Sequence, residues 1–160
     1  MTTIVVDRKV GFIAADRRFT SNDCDVIMDD GDKIRKVKVY GHTHYLASCG
    51  YESTSLIAED WYENGDPNER PDPIDTDEDT AFTTVILTHD SRILLLDRYL
   101  RPYEIHHRFY AVGSGGPFAW AVLEAGCGIE KAMRTAIKMD GGSGAPFEVA
   151  YLSGEHEVYE

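Results

Sequence analysis

The amino-acid sequence predicts an α+β fold in which two mainly antiparallel sheets lie together and helices pack on their outer faces. Two observations predict it. Short apolar segments recur along the chain and are separated by tight turns, which is typical of antiparallel hairpins. Segments with helical spacing are grouped, in the order strands, one helix, strands, two helices and strands. At 160 residues, with 42% hydrophobic and 28% charged residues, the chain fits a single folded domain over residues 1–160.

The first third of the chain predicts four strands. The segment TTIVVDRKVGFIAAD indicates two short strands, Thr3–Val6 and Val10–Ala15, joined by a tight charged turn. A polar stretch, Ser21–Asp25, is followed by the turn dipeptide Asp30-Gly31. After this turn, KIRKVKVYG alternates apolar and charged residues, which favours a half-exposed strand. The segment HYLASCG then predicts a short buried strand that ends at a glycine.

The segment STSLIAEDWYEN predicts the first helix. Ser53 or Thr54 could cap its N-terminus through a side-chain oxygen. Four residues fall at helical spacing: Leu56, Ile57, Asp60 and Trp61.

An acidic, proline-rich segment follows this helix. Ten acidic residues and one basic residue lie between Glu59 and Asp79, so this segment carries most of the net charge of −12. Three prolines interrupt it, which predicts a long surface loop or a mobile segment at about residues 64–80.

The second half predicts two hairpins that flank two helices. Apolar strands lie on either side of His89-Asp90-Ser91. A strand and a glycine turn then lead into a helix that has Pro117 in its first turn and ends at Gly126 or Gly128. The chain closes with a hairpin that turns at Ser153-Gly154. The last helix has one apolar face, formed by Ile129, Met133, Ala136 and Ile137.

Composition excludes several classes of function. A net charge of −12 and a pI near 4.8 argue against nucleic acid as a partner, because a phosphate backbone requires a basic surface. The three cysteines (Cys24, Cys49 and Cys127) are few and odd in number, which favours free thiols in a reducing compartment. The sequence shows neither a signal peptide nor an apolar run of about 20 residues, which predicts a cytoplasmic protein with no membrane partner.

Thr2 is the candidate catalytic nucleophile. An N-terminal threonine can act as a nucleophile because its own α-amine, with an unperturbed pKa near 8, accepts the hydroxyl proton. Such a site also needs a cation that lowers the cost of the alkoxide, a carboxylate that holds the cation, and a backbone N–H for the oxyanion. Asp16 ends the second predicted strand and Lys33 opens a later one, so an antiparallel sheet could bring both beside Thr2. The amine exists only after Met1 has been removed.

Five segments together resemble the proteasome β-subunit and HslV family of N-terminal nucleophile (Ntn) hydrolases. The resemblance covers most of the chain except roughly Tyr51–Ala81. It implies the four-layer αββα sandwich of that family and threonine peptidase activity without a cofactor or metal. The segments are TTIVV, GFIAADRRFT, DGDKIRKV, YAVGSGGPFAWAVLEAG and DGGSG.

The resemblance implies a role for each catalytic candidate. Thr2 would be the nucleophile, and Lys33 the cation that lowers its pKa. Asp16 would orient this lysine. Three further residues would form the hydrogen-bonded group that holds the Thr2 amine and a water: Ser114, Asp140 and Ser143.

The resemblance also implies how substrate binds. The backbone at Thr20 would pair with an extended peptide, which is recognition by strand addition. The oxyanion position usually has a glycine after an alanine, whereas this chain reads Ala47-Ser48-Cys49-Gly50. Ser48 and Gly50 are therefore alternative residues for this position.

The implied partners are further copies of the chain in a ring or other homo-oligomer, an ATP-dependent unfoldase, and peptide or unfolded protein as substrate. One helix is evident where the family usually has two, so the ring number stays open. Two other functions are alternatives: a non-catalytic assembly protein that keeps the fold, and an amidase that acts on a small amide.

Other patterns are weaker. His42 and His44 would share a strand face, but the sequence shows no third metal ligand beside them. The acidic run from Asp75 begins like a calcium loop but lacks its glycine and its final glutamate. Cys49 and Cys24 are alternative nucleophiles without a suggestive histidine nearby, so buried structural thiols are the simpler interpretation.

Overall fold

The structure is a computed structural model that describes residues 2–21, 25–69 and 71–160. The strands are β1 (Ile4–Asp7), β2 (Phe12–Asp16), β3 (Phe19–Thr20), β4 (Val26–Met28), β5 (Ile34–Val39), β6 (His42–Gly50), β7 (Phe82–Leu87), β8 (Ile93–Leu96), β9 (Tyr103–Ile105), β10 (Phe109–Val112), β11 (Phe147–Tyr151) and β12 (His156–Tyr159). The helices are α1 (Glu52–Asn64), α2 (Gly116–Glu124) and α3 (Ile129–Met139).

Two five-stranded antiparallel sheets dominate the fold. The first sheet has the strand order β10-β1-β2-β11-β12, and the second has the order β5-β6-β7-β8-β9. Strands β3 and β4 form a separate two-stranded ribbon. The predicted α+β class with two mainly antiparallel sheets is confirmed.

Three hydrophobic clusters define four layers. The central cluster contains side chains from both sheets, such as Ile13 of β2 and Val85 of β7, so the sheets pack face to face. A second cluster joins the outer face of the first sheet to α2 and α3. A third joins the outer face of the second sheet to α1. The layers are therefore α2/α3, first sheet, second sheet and α1.

The first hairpin differs by a residue or two from its predicted limits because Asp7 closes the turn. Its carboxylate accepts hydrogen bonds from the backbone N–H groups of Lys9 and Val10, at 2.8 and 3.1 Å. Asp7 also pairs with Phe12, so β1 extends to Asp7 and β2 begins at Phe12. Val10 lies in the turn and is 58% exposed, although the pattern placed it in the second strand.

The N-cap of helix α1 differs from the predicted Ser53 or Thr54. The N-cap residue is Tyr51, without a side-chain cap, and Thr54 lies inside the helix. The Thr54 hydroxyl hydrogen-bonds the carbonyl oxygens of Tyr51 and Thr80, so it ties the helix to the chain entering β7.

The buried face of α1 also differs from the apolar spacing in the sequence. Leu56 and Ile57 are 49% and 55% exposed, whereas Glu59 is 6% exposed. Polar groups can be buried here because they are paired: Ser48 Oγ on β6 donates to Glu59 Oε1 at 2.5 Å. Burial raises the pKa of Glu59, opposed by the Ser48 hydrogen bond and the Arg35 charge.

The acidic segment after α1 is tied to the second sheet. The backbone N–H of Ile74 donates to the carbonyl oxygen of Arg98 at 2.8 Å, and the Arg98 guanidinium donates to the carbonyl oxygen of Thr76. The side chain of Ile74 packs against the α1 cluster. The described residues between α1 and β7 form turns and bends rather than helix or strand.

Helices α2 and α3 follow their predicted patterns. Pro117 lies in the first turn of α2, and Gly126, with φ of +82°, comes just after its end. Gly128 is the N-cap of α3. The apolar face of α3 packs on the first sheet through Ala132, Met133 and Ala136. Across the described ranges, no helix is long and apolar enough to cross a membrane.

His44 on β6 connects the second sheet to helix α1 and to the β7–β8 turn, and it is 6% exposed. Its Nδ1 lies 2.9 Å from the Tyr62 hydroxyl on α1, and its Nε2 lies 3.1 Å from Nδ1 of His89 in the β7–β8 turn. Burial lowers the pKa of His44, and the charges of His89, His42 and Arg92 act in the same direction, whereas Asp90 opposes them.

We expect His44 to make the protein less stable in mild acid. The folded state keeps its imidazole neutral, while the unfolded chain binds a proton near pH 6.5, so stability is present above that pH and falls as the pH drops through it. Urea unfolding midpoints at pH 7.5 and 5.5 would measure the decrease. His44→Gln should flatten this pH dependence, whereas replacing the exposed His107 by Gln should leave it unchanged. Parallel pH profiles for the parent and His44→Gln would contradict the assignment.

Candidate active site

Thr2, Lys33 and Asp16 meet where the two sheets adjoin. Lys33 Nζ lies 2.9 Å from Thr2 Oγ1 and 3.1 Å from Asp16 Oδ1. Thr2 precedes β1, Asp16 ends β2 and Lys33 precedes β5. The side chains of Lys33 and Asp16 are 4% and 0% exposed, and Thr2 is 7% exposed. The structure thus brings together the three residues that the sequence predicts to be the nucleophile, the cation and its carboxylate.

Backbone donors hold the Asp16 carboxylate in place. Its Oδ1 accepts the N–H of Thr3 at 2.8 Å. Its Oδ2 accepts the N–H groups of Arg18 and Gly144, both at 3.2 Å. Because β2 pairs with both β1 and β11, these donors come from segments whose positions the sheet already fixes.

Burial shapes the electrostatics of the Lys33–Asp16 pair. Burial lowers the pKa of Lys33, and the Asp16 carboxylate opposes that shift. Burial likewise raises the pKa of Asp16, opposed by the Lys33 charge and by the hydrogen bonds from Thr3 and Gly144. Removing either partner would leave an uncompensated buried charge, so the pair acts as a unit.

Ser114, Asp140 and Ser143, to which the family resemblance assigns the support of the Thr2 amine, form a second hydrogen-bonded group. Both hydroxyls donate to Asp140 Oδ2, at 2.7 Å from Ser114 and 2.6 Å from Ser143. Burial acts to raise the pKa of Asp140, but the hydrogen bonds from Ser143, Ser114 and the Gly142 N–H lower it, and the pKa lies below its ordinary value. Ser143 Oγ also lies 2.7 Å from Thr3 Oγ1, which links this group to the chain beside Thr2.

Thr3 is a site residue that the sequence analysis did not assign. It is fully buried, and it contacts both hydrogen-bonded groups through its backbone N–H to Asp16 and its hydroxyl to Ser143. Its one signal in the sequence is the doubled threonine, which local propensity alone also explains.

The glycines of the Gly113-Ser114-Gly115 turn allow the chain to approach β1 closely. Gly113 has φ of +88°, and a Cβ there would lie 1.9 Å from the carbonyl oxygen of Thr2. A Cβ at Gly115 would lie 1.9 Å from Thr3 Oγ1. Glycine at both positions is therefore required by contact with the two threonines.

A cavity of about 1050 Å³ opens over Thr2 and Lys33. Its lining includes the three predicted substrate-contact residues, Thr20, Ser48 and Gly50. Glu78 and Asp79 of the acidic segment and Glu59 of α1 also line it.

The edge of β6 beside this cavity is open on one side. Pairing of β6 with β5 extends only as far as Ala47, whereas Ser48, Cys49 and Gly50 pair with β7 alone in the described chain. The Ser48 side chain points to α1, where it contacts Glu59, so its backbone rather than its hydroxyl is available to a ligand. Both alternatives for the oxyanion donor remain, since Ser48 and Gly50 lie on this same short stretch.

The weaker sequence patterns find structural explanations. His89 is the third histidine beside His42 and His44, and its ring stacks on His42 with a centroid separation of 3.9 Å. Among the described residues, no group of three or more His, Cys, Asp or Glu side chains could hold a metal ion. Asp77 of the calcium-like run binds the backbone and hydroxyl of Thr80, which closes a local turn.

Of the two alternative cysteine nucleophiles, Cys49 lies among the described residues, and its surroundings do not favour that role. Burial raises the pKa of the Cys49 thiol, with smaller opposing effects, which disfavours the reactive thiolate. Cys24 lies outside the described residues, as does Met1.

We expect Gly115→Ala to disrupt the site by displacing Thr3. The added methyl group would overlap Thr3 Oγ1 in a fully buried position, so the variant should lose about 1–3 kcal/mol of unfolding free energy. Urea denaturation would measure the loss. Gly141→Ala is the matched control, because a Cβ there meets no atom within 4 Å. Equal stability of the two variants would contradict the packing requirement.

Comparison with known proteins gives matches among solved structures. No family model and no curated protein matches the chain. Eukaryotic HslV from Trypanosoma brucei is similar with a TM-score of 0.63 and 20% identity, over 98% of both chains. Anbu, an ancestral β-subunit, from Yersinia bercovieri has a TM-score of 0.73 and 10% identity, over 99% of this chain and 86% of its own. Anbu from Hyphomicrobium sp. strain MC1 has a TM-score of 0.69 and 12% identity, over 99% and 88%. The chain therefore has the proteasome-like Ntn-hydrolase fold found in HslV and Anbu.

Proposed function

We propose that this chain is a threonine peptidase that cleaves peptides or unfolded protein with the Thr2 hydroxyl as nucleophile. One observation carries the proposal: Lys33 Nζ lies within hydrogen-bond distance of both Thr2 Oγ1 and Asp16 Oδ1, in a buried position beside a large cavity. The proteasome-like fold supports it.

The reaction begins when Met1 is removed and the Thr2 nitrogen becomes a free amine. This amine takes the hydroxyl proton, and Lys33 stabilises the developing alkoxide by hydrogen bonding and charge. Thr2 Oγ1 then bonds to the carbonyl carbon of the substrate. The peptide C–N bond breaks, and the leaving amine receives the proton held by the Thr2 amine. Water, deprotonated by the same amine, cleaves the resulting ester and restores the hydroxyl.

Two strands beside the cavity support an extended peptide as substrate. Thr20, at the end of β3, lines the cavity. The stretch of β6 from Ser48 to Gly50 has one edge without a ladder partner in the described chain. A peptide that added as a strand here would place its carbonyl near the backbone N–H of Ser48 or Gly50, which would bind the oxyanion.

The proposal has three further parts: self-association into a ring or another homo-oligomer, an ATP-dependent unfoldase as partner, and a cytoplasmic location. The resemblance to HslV suggests each of them. Exposed apolar side chains on α1 and β4 are suitable for contacts between subunits, since Leu56, Ile57 and Ile27 are each about half exposed or more.

We expect a peptide β-lactone, which acylates a hydroxyl nucleophile, to label the native protein at Thr2. Intact mass would show the loss of Met1 and the adduct, and peptide mapping would locate it. Thr2→Ala should abolish both labelling and peptide cleavage. The matched control is Thr43→Ala, which removes a threonine near the start of β6, outside the cavity lining, and it should behave like the parent.

The same assay distinguishes the alternatives. A protein that lacks Met1 but is neither labelled nor able to cleave peptides would overturn the proposal in favour of a non-catalytic assembly role. Labelling at Thr2 with hydrolysis of small amides but not of peptides would indicate an amidase instead.

Lys33→Ala should slow labelling of Thr2 about a hundredfold or more, because it removes the group that stabilises the alkoxide. The control is Lys36→Ala, which removes an exposed lysine from the adjoining strand β5. Labelling rates would be compared per folded molecule, since Asp16 loses its partner in the first variant. Equal rates for the two variants would exclude Lys33 from the mechanism.

A further inference from the structure

We propose that Glu148 is a positioning residue for Lys33: its carboxylate holds the start of β5 so that the lysine reaches Thr2. The inference rests on the proposed function, because positioning matters only if Lys33 assists Thr2. Glu148 belongs to β11 in the first sheet, and Lys33 lies just before β5 in the second. The carboxylate therefore fixes the lysine backbone from the opposite sheet.

The contacts are short and specific. Glu148 Oε1 accepts the backbone N–H of Lys33 at 2.7 Å and that of Ile34 at 3.0 Å. The Glu148 side chain is 2% exposed, so these charge-assisted hydrogen bonds lie away from competing water. Its other oxygen lies 3.0 Å from Nε2 of His156 on β12, whose side chain is half exposed.

Strand register places Glu148 next to the catalytic candidates. Glu148 pairs with Ala15 of β2, the residue before Asp16. Ala15 belongs to the cluster between the sheets, so side chains at this register position point toward the second sheet. Neighbouring positions of one sheet therefore hold Lys33 at two points, with Asp16 on the ammonium group and Glu148 on the backbone.

The start of β5 needs such an anchor because β5 is an edge strand of the second sheet. Among the described residues β5 pairs with β6 alone, and that ladder begins at the Ile34–Ala47 pair. Lys33 precedes the first ladder pair and follows the Gly31-Asp32 segment. Without an acceptor on the other sheet, its backbone N–H would be unsatisfied and the lysine would be free to shift.

The charge of Glu148 also acts on the lysine. Burial is the main influence and lowers the pKa of Lys33, while Asp16 raises it most, and the charges of a Cys49 thiolate and of Glu148 raise it to a smaller extent. A purely structural tie between the sheets would work equally well with a neutral acceptor. The charged carboxylate therefore has a consequence that can be measured at Lys33 itself.

The test compares Glu148→Gln, Glu148→Ala and His156→Ala with the parent. Glu148→Gln keeps an acceptor for the two N–H groups but loses the charge, and Glu148→Ala loses both. His156→Ala leaves both Oε1 contacts intact and is the matched control. Three quantities would be measured: the urea midpoint, the pH profile of β-lactone labelling at Thr2 per folded molecule, and the titration of the Lys33 Cε methylene by NMR.

We expect Glu148→Ala to slow labelling about tenfold to a hundredfold, since small misplacements of a catalytic group have effects of this size. Glu148→Gln should keep much of the labelling rate. Because it removes a negative charge that raises the pKa of Lys33, the titration of Lys33 and the decline in labelling at high pH should both move to lower pH. His156→Ala should match the parent in rate and in Lys33 titration.

Two outcomes would overturn the proposal. In the first, Glu148→Gln and Glu148→Ala match the parent in both the labelling rate and the Lys33 titration. In the second, His156→Ala slows labelling as much as Glu148→Ala does. If Glu148→Ala does not fold, Glu148→Gln still decides through the titration. A parent that is never labelled would refute the proposed peptidase, whereas the Lys33 titration would still report whether Glu148 acts on this lysine.

Discussion

The buried ion pair between Lys33 and Asp16 is the interaction on which the rest of the site depends. Two charges taken out of water are tolerated only where each has its partner and further hydrogen bonds. Asp16 receives three backbone N–H groups, and these come from the entry to β1, the residues after β2 and the loop before β11. The first sheet must therefore be correctly paired before the carboxylate is satisfied. The lysine it holds belongs to the other sheet, so the pair also fixes how the two sheets meet.

The glycine turn before α2 adds a second constraint at the same place. The carbonyl oxygen of Thr2 and the hydroxyl of Thr3 leave no room for a Cβ at Gly113 or Gly115. Ser114 between them donates to Asp140 at the end of α3. Packing of the helical layer on the first sheet is thereby coupled to the position of the first strand. Glu78 and Asp79, from the segment with most of the negative charge, also line the cavity.

Much of the fold and site could be predicted from sequence because the relevant signals are local. Alternation, turn dipeptides and helix breakers indicate most hairpins and all three helices, and the five family-like segments point to Thr2, Asp16 and Lys33. The buried face of α1 could not be predicted, because Glu59 is buried only where Ser48 on β6 supplies its hydrogen bond. Glu148 likewise gives no local signal beyond an acid among apolar residues. Its partners, the N–H groups of Lys33 and Ile34, become adjacent only in the folded chain.

The topology of the first sheet determines how early during synthesis the candidate site can form. β1 pairs with β10, and β2 pairs with β11, so strands that are far apart in the sequence are direct neighbours. Such long-range pairings carry a large loop-closure cost and form slowly. During synthesis Thr2, Asp16 and Lys33 leave the ribosome early, but β10 and β11 follow much later. The candidate nucleophile therefore remains without its finished surroundings until β11 has left the ribosome, so this site cannot assemble before more than a hundred further residues have been made.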